Sequence, residues 1–403
     1  LYPPKLCSAA DFAELELNGV YAEGVRNDFR FIQINRKEIT DMKTSRLFKA
    51  FALAMAMLLL VSSLGIGVLA ESRASKQTAI RTEEAAQEYV QQYAREISAG
   101  KTEYSVTGGQ RLESFSDKKS YVLYTLSPSG YAVYDAVSGV VEEMMLDCEN
   151  PYDDSRKGEL YYGGPMNYIR KVDGKYFMIT DGTRLSKSDV EKISEIETAA
   201  LEQREAMKGV PTTTQYYYMN SSNYFTALLG NKFGTNTNGT CVQVASAIML
   251  SFYDRYVNGQ FVPAAYEDID STGCGTTEDF HLLLQSFMGT GPCTFSGAAS
   301  GLNSYLASIY FSEPTVRVKG GKHNIVFDRV SGNVGRNKPT VIGMSKDYNP
   351  SCTMNHAVVA YGYRTEMNGG AMVSAAYFVH TGWKSQKLGT FAWDWFSDAL
   401  YIG

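Results

Sequence analysis

The stretch CVQVASAIMLSFYD, residues 241 to 254, constrains this chain more than any other. Apolar side chains fill almost every position from Val242 to Phe252, leaving no polar stripe at helical spacing. A helix that is apolar all round has no face to give to water, so it must run through the middle of a protein. The sequence therefore predicts a buried helix over 241–256 with other elements wrapped around it. Cys241 stands in its first turn, after the polar run Asn238-Gly239-Thr240. A cysteine in an apolar helix is by default a core thiol. At a helix tip it has a second reading, because the orphan N–H groups and the helix dipole favour the thiolate, the reactive form. Asn238 or Thr240 can cap the helix, and Gly239 allows a sharp turn into it. The same N–H groups can hold an oxyanion during acyl transfer.

A nucleophilic thiol needs a base, and the base needs an orienting acceptor and shelter from water. The stretch NHAVVAYGY puts His356 at the mouth of an apolar strand. Across a turn marked by Asn368-Gly369-Gly370, the stretch YFVHTGW supplies His380 as the acceptor and Trp383 as the shield. Asp394, in FAWDWF, is a backup orienter, although a solvated turn is its simpler reading. His281 reads as part of an amphipathic helix and His323 as part of a GGKHN turn. No spacing of His and Cys matches a zinc pattern, so neither metal nor cofactor is expected. Arg317, Lys319 and Lys322 read as a solvated edge.

The order Cys-helix, His-strand, polar residue and Trp resembles that of papain-like cysteine peptidases, most of all the secreted streptopain-like bacterial group. Asn238-Gly239-Thr240-Cys241-Val242, with Ala245, Ala247, Ile248 and Met249, is similar to that group's nucleophile segment. Val379-His380-Thr381-Gly382-Trp383 is similar to its V-N-W-G-W segment. The resemblance covers roughly 209–403. It implies a papain-like α+β domain with a central buried helix bearing Cys241 and an antiparallel sheet bearing His356. It also implies a zymogen whose own prodomain is an intramolecular inhibitor, and a protein or peptide substrate. Two positions depart from the pattern. Thr235 stands where the group has its oxyanion-hole Gln, leaving Asn236 or Asn238 as substitutes, and His380 replaces the orienting Asn. These departures keep a non-catalytic binding module open as an alternative. A cell-wall amidase or a transglutaminase-like acyl transferase would use the same Cys-His chemistry.

The rest of the chain divides around this domain. From Met42 the sequence has a basic start (Lys43, Arg46, Lys49), an apolar run from Ala50 to Leu69, and small residues at the cleavage spacing. That pattern predicts a signal peptide over 42–70 and a secreted product. A membrane anchor is the competing reading, weakened by Ser62, Ser63, Gly65 and Gly67. Residues 1–41 are expected to be conceptual translation of untranslated message ahead of Met42, since Arg36-Lys37-Glu38 can be encoded as a ribosome-binding sequence three codons before it. Residues 71–208 form the expected α/β prodomain. It comprises an amphipathic helix over 77–99, three meander strands (SYVLYTL, GYAVYDA, GVVEEMM) and a further strand within 161–179. A charged helix then opens on a Ser188/Glu191 capping box and runs to about 208. The boundary falls near 209, at GVPTTT, with processing expected near 205–215. In the C-terminal part, helices are expected at 241–256, 277–288 and 298–309, and strands at 340–344, 356–363, 375–380 and 390–396. Net charge is −5, with the acidity lying in 71–208, so no nucleic-acid partner is expected. Of six cysteines, Cys7 lies in the leader. The odd remainder leaves at least one thiol unpaired within the chain, with Cys274–Cys293 as a possible bridge.

Overall fold

The computed structural model describes residues 82–403 except 99, 117, 153–157, 206, 208–210, 229–231, 235–238, 269–274, 310–314, 345–355 and 385–387. The segments expected as untranslated message (1–41) and signal peptide (42–70) lie outside the described residues. Residues 78–403 form one compact unit, a mixed α and β structure built on a large antiparallel sheet.

Helix α1 (Glu83–Ile97) starts on Thr82, whose hydroxyl accepts from the Ala85 N–H at 3.3 Å. Its Ala86, Val90, Tyr93 and Ala94 are buried, the i, i+4, i+7, i+8 stripe that makes it amphipathic. The sheet begins with β1 (Ser105–Leu112), β2 (Tyr121–Ser127), β3 (Gly130–Asp135) and β4 (Val140–Leu146). The last three are the expected meander. The single strand expected within 161–179 is a separate three-stranded sheet, β5 (Glu159–Tyr162), β6 (Tyr168–Val172) and β7 (Lys175–Met178). Turns at Asn167 and Gly174 break that stretch. Helix α2 (Lys187–Glu205) opens two residues before the expected capping box. Ser186 and Asp189 form the reciprocal pair: the Asp189 N–H donates to the Ser186 hydroxyl at 3.2 Å, and the Ser186 N–H to the Asp189 carboxylate at 2.8 Å.

The C-terminal part adds β8 (Thr213–Tyr218), α3 (Asn223–Ala227), α4 (Cys241–Tyr256), α5 (Phe280–Met288), α6 (Phe295–Ile309), β9 (Val316–Gly320), α7 (His323–Val334), β10 (Thr340–Gly343), β11 (Ala357–Asn368), β12 (Ala371–His380), β13 (Leu388–Ala392) and β14 (Asp398–Ile402). The helix expected at 241–256 has those bounds, and every residue from Cys241 to Tyr253 is buried. It lies on β10 and β11 and is covered from the other side by α5 and α6. Burying side chains such as Ile248, Met249, Leu250 and Phe252 stabilises the fold by roughly 1.5–3 kcal/mol each.

The main sheet has the order β1-β2-β3-β4-β13-β12-β11-β10-β14-β9, with β8 also pairing on β11. The boundary expected near 209 therefore does not separate two sheets. At the seam β13 pairs with β4 through Gly389↔Met145, Thr390↔Met144 and Phe391↔Glu143. Gly389 lets the strands close there without displacing the Met145 side chain, whose sulfur a Cβ would meet. The strand expected over 390–396 stops at Ala392, and Trp393–Trp395 forms a tight turn. That turn aims Asp394 inward at Arg204 of α2. His323 is the first residue of α7, not part of a turn, and its Nδ1 lies 2.9 Å from the Phe396 carbonyl. Arg317 and Lys319 point to solvent from the edge strand β9.

Candidate thiol–imidazole site

Cys241 is the first residue of α4 and is 3 % exposed. Gly239 enters the helix at φ +75°, in the left-handed region where a side chain is strained. A Cβ on it would also stand 2.6 Å from Pro292 Cγ. Thr240 occupies the N-cap position but makes no side-chain cap hydrogen bond. The proposed oxyanion groups Asn236 and Asn238 lie outside the described residues, as does Thr235. One turn into the helix, the buried Gln243 side chain donates through Nε2 to the carbonyls of Gly289 (3.0 Å) and Gly291 (2.7 Å). This ties the α5–α6 loop to the head of α4.

His356 immediately precedes β11. Its Nε2 donates to the Thr381 carbonyl at 3.1 Å. A carbonyl only accepts, so the proton sits on Nε2 and the Nδ1 lone pair is left to accept a proton. The Trp383 ring stands edge-on to the imidazole, with centroids 5.8 Å apart at 76°. Burial disfavours the charged imidazolium and pulls the His356 pKa down to about 4, against the opposing hydrogen bond to Thr381. The ring is therefore neutral at neutral pH.

The expected orienter, His380, stands one residue before the carbonyl that takes His356 Nε2. It is fully buried at the end of β12 and lies edge-on to Phe233, with centroids 4.9 Å apart. Its Nδ1 accepts the Gly382 N–H at 3.2 Å, while the Trp383 N–H donates to the Thr381 hydroxyl at 3.1 Å. Gly382 itself has φ +75°, and a Cβ on it would stand 3.2 Å from Val244 Cγ1 of α4. So His380 shapes the turn, the turn presents the Thr381 carbonyl, and that carbonyl fixes the imidazole. The same turn rests on the first turn of the cysteine-bearing helix. Residue type gave no signal for this acceptor because it is a backbone atom; the His-Thr-Gly-Trp turn was the only hint. Asp394 is neither orienter nor solvated. It is fully buried and bound by Arg204, whose Nη2 donates to it at 2.7 Å.

Two further groups border the site. Cys293 is a buried thiol, not half of a bridge with Cys274, which lies outside the described residues. Burial, with a further contribution from Cys241, pushes its pKa up to about 12. The β5–β6 hairpin tip also approaches. A Cβ on Gly164 would stand 2.8 Å from Trp395 and 2.9 Å from Met344, and Asn167 Nδ2 lies 3.7 Å from the Met344 sulfur. Met344 follows Gly343, which pairs with Ala357, so the hairpin reaches the end of the sheet where His356 sits. Among the described residues, no group of three or more His, Cys, Asp or Glu is arranged to hold a metal ion. No protein-family model, curated protein or solved structure matches this chain.

Proposed function

We propose that this chain is a secreted cysteine peptidase of papain-like type, made as a zymogen whose residues 71–208 are a prodomain covering residues 209–403. One observation carries the reading. The imidazole of His356 has its Nε2 engaged by a backbone carbonyl and its Nδ1 left as an acceptor, on a turn packed against the helix that Cys241 opens. In the reaction the Cys241 thiol passes its proton to His356 Nδ1, and the sulfur attacks the scissile carbonyl. The Cys241 N–H and an Asn236 or Asn238 amide hold the oxyanion. His356 then protonates the leaving amine, and water activated by the same nitrogen hydrolyses the thioester. The hairpin at Gly164 and the β4–β13 seam support the idea that the N-terminal half covers and restrains the site.

The test is to express residues 71–403 and follow their size with time beside Cys241→Ala. Self-cleavage between the end of α2 and the start of β8, abolished by the substitution, is the expected result. If neither protein is processed and an electrophilic thiol probe fails to label Cys241, the reading is wrong.

A further inference from the structure

Two buried thiols lie on segments that meet at the head of α4, and only one has a place in the chemistry above. Cys293 lies in the loop that connects α5 to α6, two residues before α6 begins. That loop is pinned to α4 by the two hydrogen bonds from Gln243. Pro292 abuts Gly239, so the chain just before Cys293 touches the chain just before Cys241. The electrostatic influence of Cys241 on the Cys293 thiol is consistent with the same closeness. Both thiols are reduced and buried.

Resting on the reading of Cys241 as a reactive thiol, we propose that Cys293 is its resolving partner, closing an intramolecular disulfide that reversibly silences the site under oxidising conditions. The oxidant is a small organic disulfide of the cystine or glutathione type. Cys241 gives up its proton and attacks one sulfur of that disulfide. A mixed disulfide forms and one small thiolate leaves, taking a proton to become a thiol. Cys293 then attacks the Cys241 sulfur. The Cys241–Cys293 bond forms, the bond to the small thiol breaks, and the departing sulfur takes up the Cys293 proton. Two electrons and two protons pass from the protein to the oxidant. A dithiol reductant reverses both steps. Gln243 is the positioning residue, because it holds the loop that carries Cys293.

The whole chain, reduced and then incubated with oxidised glutathione, tests this without any reference to turnover. Unreduced peptide mapping should recover Cys241 joined to Cys293. Labelling of Cys241 by iodoacetamide should be lost on oxidation and return with dithiothreitol. Cys293→Ser should instead leave Cys241 carrying glutathione, and Gln243→Ala should slow closure in a protein of unchanged circular dichroism. Recovery of glutathionylated Cys241 in the wild type, of Cys241 joined to another cysteine, or of an unmodified thiol overturns the proposal. Closure in a protein with no proteolysis would count against the peptidase and spare the disulfide. Proteolysis without closure would do the reverse.

Discussion

Two of the regions where this molecule buries polar groups satisfy them in different ways. At the seam between β4 and β13, charged side chains answer one another. Arg204 from α2 pairs with Glu142, Asp394 and Asp135, all three carboxylates fully buried, and Lys119 lies 3.2 Å from Glu142. Trp395 Nε1 donates to Glu142 at 2.8 Å. At the thiol–imidazole corner the backbone does the answering: the Thr381 carbonyl takes His356, and the Gly289 and Gly291 carbonyls take Gln243. A closed charge cluster has every member committed and makes a rigid joint. A corner held by backbone atoms leaves the His356 Nδ1 as an acceptor. The seam is therefore a structural joint, and the corner is where the proposed chemistry would take place, although both are buried and the seam is richer in titratable groups.

Arg204→Met is the hardest test of the seam. It leaves the buried carboxylates with Lys119 as the only other cation this cluster shows, and breaking a buried pair from one side costs about 3–5 kcal/mol. Urea denaturation should show a loss of that order, with the labelling rate of Cys241 in the folded fraction unchanged. A loss below about 1 kcal/mol would mean that the cluster is not the joint described.

Proton linkage gives two buried groups, His356 and Glu197, opposite signs. The His356 pKa is about 4 folded, against 6.5 as the ordinary value. Between those pH values the unfolded chain binds the extra proton, so stability rises with pH across the window and is level above it. Glu197 behaves oppositely. Burial pushes its carboxyl up to about 7, and the Tyr121 hydroxyl donates to it at 2.7 Å. From about 4.5 to 7 the folded chain holds the extra proton, so stability falls as pH rises. Each effect is worth up to about 3 kcal/mol. His356→Gln should flatten the acid limb. Glu197→Gln should flatten the neutral limb and stabilise the protein at pH 8. Denaturation midpoints from pH 4 to 8 would show both, and identical curves for wild type and variant would refute either assignment. Glu142 adds a third slope at lower pH. Burial pushes it up, but Arg204 and Lys119 outweigh that and hold it near 2, so its contribution is lost only as pH falls from 4.5 toward 2.

Gly382→Ala probes the corner through its turn. A non-glycine residue at φ +75° costs about 1–2 kcal/mol, and the added methyl presses on Val244. Relaxing that strain shifts the Thr381 carbonyl away from His356. Labelling of Cys241 should therefore fall by more than the stability loss alone would give. Unchanged labelling would uncouple the turn from the base.

What the sequence made legible follows from the same difference. Helix α4 could be read to its bounds because a run that is apolar all round needs no knowledge of its neighbours. The meander β2–β3–β4 could be read from short runs divided by turn residues. Strand β1, with Gly108-Gly109 and mostly exposed side chains, could not, because its strand character comes from pairing with β2. Strand β8 pairs on β11 in the same way while its own residues are nearly all exposed. The seam was illegible because Arg204 and Asp394 are 190 residues apart and each looks like a surface charge by itself. Cys241, His356 and Trp383 were legible as residue types in a plausible order. The acceptor for His356 was not, and neither was the packing of the Cys293 loop against the head of α4, since a backbone carbonyl and a chain crossing leave no mark in composition.

The smallest expected effect is the most pointed. Thr381→Val removes the hydroxyl that accepts the Trp383 N–H and keeps the carbonyl that accepts His356 Nε2. Stability should drop by about 1 kcal/mol, the usual net worth of one such hydrogen bond. The labelling rate of Cys241 and its pH profile should stay close to wild type, because the acceptor belongs to the main chain and no side-chain change deletes it. His356→Ala should abolish any dependence of that labelling on the imidazole. If Thr381→Val instead mimics His356→Ala, then the hydroxyl, not the carbonyl, fixes the base. The corner would then depend on side chains, as the seam does, and the contrast between the two regions would fail.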